Sequence, residues 1–161
     1  GTFVEPIRPE SIPLLFPQLA RLYFAKSYPS FEKLGIHPGQ VPLLFALHEQ
    51  NGLCQKELTS RMCVKASTVA VMIRRLERNG LVERRPDEKD QRMTRIYITG
   101  KGNNLYGALR TAAQEVEAEF YAGLSLEEIL QLHGFFLRLR ANLLRSGDNN
   151  PHSYQREEQP F

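Results

Sequence analysis

The sequence predicts a mostly α fold with a small β-wing, a winged helix-turn-helix flanked by N- and C-terminal dimerisation helices. Three observations lead there. A short polar helix followed by an amphipathic one occupies residues 55–79. Two short strands bracket the charged run Arg84-Arg85-Pro86-Asp87-Glu88-Lys89-Asp90-Gln91-Arg92. Both ends of the chain carry apolar stripes at helical spacing, which a module as small as 38–99 cannot cover.

Taken in order, residues 1–13 hold Pro6, Pro9 and Pro13 and read as extended. Pro17 is expected to open a helix, because a first-turn proline lacks only an amide hydrogen that would be unpaired there. That helix carries Leu15, Leu19, Leu22 and Tyr23 on one side, and Pro29 is expected to end or kink it. The segment Gly35-Ile36-His37-Pro38-Gly39-Gln40 turns into a second helix over roughly 38–50, with Val41, Leu44, Phe45 and Leu47 as its apolar face. Asn51-Gly52 stops it. Leu58 and Met62 anchor a short helix at 55–62.

On the next helix, 65–79, residues advance by about 100° each. Ala66, Val69, Ile73 and Leu76 therefore share one quarter-turn and face the core, while Ser67, Thr68, Val71, Arg74, Arg75 and Arg78 spread over the other side. Asn79-Gly80 supplies a C-cap. Residues 81–84 and 95–98 read as strands with Ile96 and Ile98 inward. Thr99 caps a helix over 101–122 with the stripe Leu105, Leu109, Ala112, Val116 and Phe120. Ser125 and Glu128 make a capping box for a last helix, 126–145, whose stripe is Leu126, Ile129, Leu130, His133, Phe136, Leu137, Leu143 and Leu144. Gly147 is expected to end it. The domain reading is a helical dimerisation region at 1–33 and 101–147, a winged helix-turn-helix at 34–100, and a polar, disordered tail at 148–161.

Charge narrows the function. Residues 51–100 hold 11 of the 21 Lys and Arg but 6 of the 18 acids, so this stretch is basic and the remainder slightly acidic. A basic module on an acidic body points to a polyanionic partner. The two cysteines are too few for a disulfide scaffold, no apolar run approaches the ~20 residues of a membrane span, and no signal peptide is visible. A reducing, cytoplasmic setting is expected, with no membrane partner. His37, His48, His133 and His152 show no close ligand spacing. With no phosphate-binding glycine loop and no nucleophile–base motif either, neither an enzyme, a metal nor a cofactor is expected.

A helix face of Ser, Thr and Arg suits the major groove of double-stranded DNA, since hydroxyls bond phosphates or base edges and guanidinium groups take guanine bidentately. Ser67, Thr68, Val71 and Arg74 occupy that face. Arg75, Arg78 and Arg84 read as phosphate contacts that position the helix. In the wing, Asp90 and Arg92 lie two apart and share a side of an extended loop, so the carboxylate can aim the guanidinium into a narrow minor groove.

At Gly39-Gln40, Gln55-Lys56-Glu57-Leu58, Ser67-Thr68-Val69, Arg75–Arg84, Asp90-Gln91-Arg92 and Ile98-Thr99-Gly100-Lys101-Gly102, the chain resembles the MarR family of bacterial transcription regulators. The resemblance covers roughly residues 34–102 by motif. It implies a homodimer that binds pseudo-palindromic operators, most often as a repressor. It assigns groove contacts to Ser67, Thr68 and Arg75, and the wing tip to Asp90 and Arg92. It also implies a pocket between the arm and the DNA-binding lobe for a small, often aromatic effector. The chain departs from the family pattern at Ala70, Val71 and Arg74, which alters base preference, and at Cys54, where the short helix usually opens with Ser or Thr.

Phe16, Tyr23, His37 and Phe45 are candidates for that pocket from helix order, although aromatics there are more often core. Two other functions fit the same residues. One is a winged-helix module that binds protein through the face centred on Val71. The other is a cysteine-based redox-sensing regulator, since Cys54 stands at a helix N-terminus, where a thiol pKa falls. An intrachain Cys54–Cys63 bond is not expected, because eight helical residues span ~12 Å, beyond the ~7 Å limit for bridged Cα atoms.

Overall fold

The computed structural model describes residues 2–4 and 6–146; the Gly147 stop and the 148–161 tail of the sequence reading lie outside them. In order the elements are α1 (Ile12–Lys33), a 3-10 turn (Pro38–Gln40), α2 (Val41–Glu49), β1 (Leu53–Cys54), α3 (Gln55–Met62), α4 (Ala66–Arg78), β2 (Val82–Pro86), β3 (Thr94–Ile98), α5 (Gly100–Phe120) and α6 (Leu126–Ser146). This is the mostly helical winged helix-turn-helix that the sequence predicts, with one strand more. Among the described residues, no helix is long and apolar enough to cross a membrane.

The core belongs to the middle of the chain. Leu43, Leu44 and Leu47 of α2, Leu58 of α3, Val69, Ile73 and Leu76 of α4, Ile96 of β3 and Leu109 of α5 are fully or almost fully buried together. Ala66 does not join them: it is exposed at the first turn of α4, and Met72 packs on the core instead. The three strands form an antiparallel sheet in the order β1-β3-β2. Pairing Val82 with Ile98 and Leu53 with Ile96 puts these four residues on the inner face, as strand alternation requires. β1 escapes sequence reading because two residues carry no period. It is a strand only because β3 pairs with it.

The N-terminal helix corrects the reading of its prolines. α1 begins at Ile12, with Pro13 rather than Pro17 in the first turn, and runs through both Pro17 and Pro29. Each internal proline removes one i→i−4 bond. The carbonyls left over belong to Pro13 and Ala25, two exposed residues, so water can serve them. Contact with α5 carries the helix onward: Tyr23 meets Phe120 edge-on at 5.1 Å, and Lys26 pairs with Glu119 at 3.3 Å. The second helix also differs, opening as the 3-10 turn capped by His37, whose Nδ1 accepts from the Gly39 amide at 3.1 Å.

The caps of the last two helices are those the sequence indicates. Thr99 accepts the Gly102 amide at 3.1 Å, and Ser125 and Glu128 exchange bonds of 2.9 and 3.1 Å. The start of α5 lies against the segment leading into β2, so tightly that a Cβ on Gly102 would stand 2.2 Å from the Leu81 carbonyl oxygen. The terminal stripes, by contrast, remain uncovered. Leu126, Leu130, Phe136, Leu137, Leu143 and Leu144 of α6 and Leu19 and Leu22 of α1 are exposed.

Candidate nucleic-acid interface

The helix pair is held by local chemistry. α3 ends at Cys63 in the left-handed conformation (φ 52°), and Val64 and Lys65 lead into α4. The Gln55 side chain donates to the Ala66 carbonyl at 3.0 Å, bracing the start of α4 against the start of α3. Cys54 and Glu57 form a capping box in which the Cys54 amide donates to Glu57 Oε1 at 3.4 Å. The contact with Cys54, and then the nearby Arg95 charge, lower the Glu57 pKa. Both cysteines are free thiols, as the spacing argument requires.

With Val69, Ile73 and Leu76 inward, α4 presents Ser67, Arg74, Arg75 and Arg78 to solvent, with Thr68 and Val71 half-buried at the border. Among the described residues, Arg74, Arg75 and Arg78 make no ion pair. Arg84 stands apart from that set. Its Nε pairs with Glu77 at 3.2 Å, tying β2 to the end of α4.

The wing is the loop 87–93 between β2 and β3, and it is built on Asp87. The Asp87 amide donates to the Met93 carbonyl at 2.8 Å, closing the loop, while Asp87 Oδ1 accepts the amides of Lys89 and Asp90 at 2.8 and 2.9 Å. Asp90 Oδ1 in turn accepts both the backbone amide of Arg92, at 3.1 Å, and its Nε, at 3.2 Å. The Arg92 side chain is 93% exposed, so the carboxylate aims a guanidinium that nothing else covers.

Sequence reading missed the group beneath this loop. Arg95 Nε pairs closely with Asp87 Oδ2, its Nη1 donates to the Gly52 carbonyl at 2.8 Å, and the same nitrogen lies 3.5 Å from Glu57. One guanidinium therefore joins the wing, the residue before β1 and the capping box of α3. The Arg95 hydrogen bond, followed by the backbone amides of Asp90 and Lys89, holds the Asp87 pKa at about 2. The Arg95 pKa is raised by the same pairing. An Asp followed at two and three residues by amides it can cap was the available signal. Nothing local pointed to Arg95, whose partners are 8, 38 and 43 residues away.

Next to this surface lies an open cleft of about 1800 Å³, bounded by α1, the 3-10 turn, α2, α3, α4, α5 and α6. Tyr23, His37 and Phe45 line it, as do Ser67, Thr68, Val71 and Arg75 of α4. Phe16 does not reach it; its ring packs on Phe136 at 5.7 Å, between α1 and α6. Tyr106 completes the aromatic wall, edge-on to Phe45 at 4.9 Å and stacked on His48 at 3.5 Å. Burial, with the Glu117 charge adding to it, raises the Tyr23 pKa.

Comparison with known proteins agrees with this geometry. The MarR family model matches residues 36–94. The HTH-type transcriptional repressor MdtR of Bacillus subtilis (strain 168) is 32% identical over 102 residues, 63% of this chain and 66% of that protein. The crystal structure of the transcriptional regulator SlyA superposes with a TM-score of 0.75 at 31% identity, covering 83% of this chain and 94% of that one. The crystal structure of the S. aureus MepR–DNA complex gives a TM-score of 0.75 at 26% identity, covering 85% of this chain and 99% of that one.

Proposed function

The chain belongs to the MarR family of DNA-binding transcriptional regulators, and on that premise we propose that it is a homodimeric, ligand-responsive repressor of pseudo-palindromic operators. The observation that carries ligand response is the shared wall: Ser67, Thr68, Val71 and Arg75 belong both to the side of α4 turned away from the core and to the lining of the aromatic cleft. A molecule seated between Tyr23, His37 and Phe45 touches the helix that would enter the major groove. It can thereby alter the spacing of two such helices in a dimer.

In this reading α4 reads the groove through Ser67, Thr68, Val71 and Arg74. Arg75 and Arg78 hold phosphates, and Arg92, aimed by Asp90, enters the flanking minor groove. Arg84, engaged with Glu77, acts by fixing the wing to α4. Dimerisation is supported by the distribution of exposed apolar residues. Among the described residues, every large apolar side chain that is exposed lies at 3–34 or 120–144. An isologous interface built from both ends of the chain would cover them. Repression is favoured by the relative MdtR, a repressor by name, and DNA binding in this mode by the MepR–DNA complex.

The test is selection of bound fragments from the host genome, followed by footprinting and titration at several salt concentrations. The expected result is a symmetric footprint with two half-sites a helical turn apart. Affinity should fall with salt at a log–log slope of about −0.9 per phosphate contact. A compound that occupies the cleft should release the DNA. A flat salt response and no duplex preference would overturn the reading in favour of a protein-binding module.

A further inference from the structure

Arg95 stands mid-strand in β3, on the face of the sheet opposite the buried Ile96 and Ile98. Its side chain is 29% exposed, because protein groups engage it from two sides. Toward the wing, its Nε holds Asp87 Oδ2, while Asp87 Oδ1 fixes the Lys89 and Asp90 amides at 2.8 and 2.9 Å. Asp90 then accepts Arg92 Nε at 3.2 Å. Toward the helix pair, Arg95 Nη1 lies 3.5 Å from Glu57 Oε1, the oxygen that accepts the Cys54 amide at the head of α3. One residue on, the Gln55 side chain donates to the carbonyl of Ala66, the first residue of α4. Polar contacts thus run from the wing tip, through one guanidinium, to the start of α4.

We propose that Arg95 is a positioning residue that locks the wing to the helix pair, so that Arg92 and α4 engage DNA as one unit. The inference rests on the reading of the wing and α4 as groove contacts, and it gives Arg95 no DNA contact of its own. A guanidinium suits the task. It is planar, always charged and donates along several fixed directions, so it holds the Asp87 carboxylate and the Gly52 carbonyl at set angles. Without it the Asp90–Arg92 pair survives, but the loop that carries the pair can tilt against α4. Ordering that loop during binding then offsets part of what the Arg92 contact contributes.

The test is a double-mutant cycle on the full chain, read by fluorescence anisotropy. Two duplexes share one selected operator core and carry either an A-tract or a G·C run at each flank. A narrow A-tract minor groove favours an inserted arginine, so the preference between the duplexes reports Arg92. In the otherwise wild-type chain, Arg92→Ala should weaken binding to the A-tract duplex roughly tenfold or more. In an Arg95→Met chain the same change should cost less than about threefold, and the flank preference should fall to that of Arg92→Ala. Arg95→Lys keeps the charge and the stem but loses the fork, so it should lose flank preference too. It also carries the cycle if Arg95→Met does not fold.

Three results overturn the inference. An additive cycle means that Arg95 acts separately from Arg92. An equal loss on both duplexes means that it supports only the fold. Wild-type affinity and flank preference in Arg95→Lys mean that charge alone suffices, as for a direct phosphate contact. Failure of the underlying wing reading shows differently: Arg92→Ala then costs nothing even beside an intact Arg95, and both ideas fall.

Discussion

The middle of this chain and its two ends have similar apolar content and opposite fates. Between residues 36 and 113 the leucines, isoleucines and valines of four helices and three strands close on one another, and Leu43, Leu44, Leu47 and Leu58 retain no exposure. In α1 and α6 the same residue types stand in water: Leu126 and Leu143 are exposed to 72% and 75%. Periodicity says that a helix has an apolar side; it does not say what covers that side. The lobe supplies its own cover, whereas the arm, in the proposed dimer, waits for a second chain.

The sharpest way to break this comparison is to make one cavity on each side of it. Leu44→Ala should destabilise the lobe by about 2–5 kcal/mol, the range for a buried leucine whose neighbours cannot collapse inward. Urea unfolding measures it, and a loss below 1 kcal/mol would show that α2 is not central to the core. In the arm, Leu130→Glu should leave the helical circular dichroism unchanged while weakening self-association by about 2–4 kcal/mol, as a hot-spot residue would. Sedimentation equilibrium reads it. A variant that dimerises like the wild-type chain would remove α6 from the interface.

The same contrast explains what the sequence could tell. α3 and α4 were legible to within a residue, and the caps of α5 and α6 could be named, because their signals are local: the Val69, Ile73, Leu76 stripe, the Thr99 cap and the Ser125–Glu128 box all act within a turn or two. Pro17 and Pro29 misled because the cost of an internal proline is a local rule, and packing against α5 outweighs it. β1 was invisible because its identity comes from Ile96 and Arg95, some forty residues on. At the candidate interface the helix face and the Asp90–Arg92 pair could be read from spacing alone. Arg95 could not, since its role arises only when β1, α3 and the wing meet.

Within the lobe α4 and the wing differ in the same way: among the described residues Arg74, Arg75 and Arg78 of the proposed recognition helix make no ion pair, whereas the wing is held through Asp87, Asp90 and Arg95. Arg92→Ala should weaken operator binding by about 1–3 kcal/mol with the dimer intact. Fluorescence anisotropy with a selected operator measures it. Wild-type affinity in the variant would move the minor-groove contact away from the wing. Arg75→Ala offers the complementary case: as a phosphate contact it should reduce the salt slope by about 1 without changing sequence preference.

The wing's rigidity has its own, finer test, because Asp87 titrates. Its carboxyl is held at about 2 in the folded chain, against an ordinary value of 3.8. A folded-state pKa below the unfolded one means that the contribution to stability is fully present above the unfolded value. It is then lost as pH falls through the folded value. Between pH 4 and 2 the bonds from Lys89 and Asp90 to Asp87 should therefore weaken, and so should the pairing with Arg95. NMR should show those two amides shifting along the Asp87 titration curve while α4 amides stay still. Asp87→Asn keeps an acceptor but loses the charge, so it should abolish that step and, at neutral pH, reduce operator affinity by less than Arg92→Ala does. If Asp87 instead titrates near 3.8 with the two amides unmoved, the wing is not held from beneath, and the contrast between an aimed arginine and the arginines of α4 reduces to the Asp90–Arg92 pair alone.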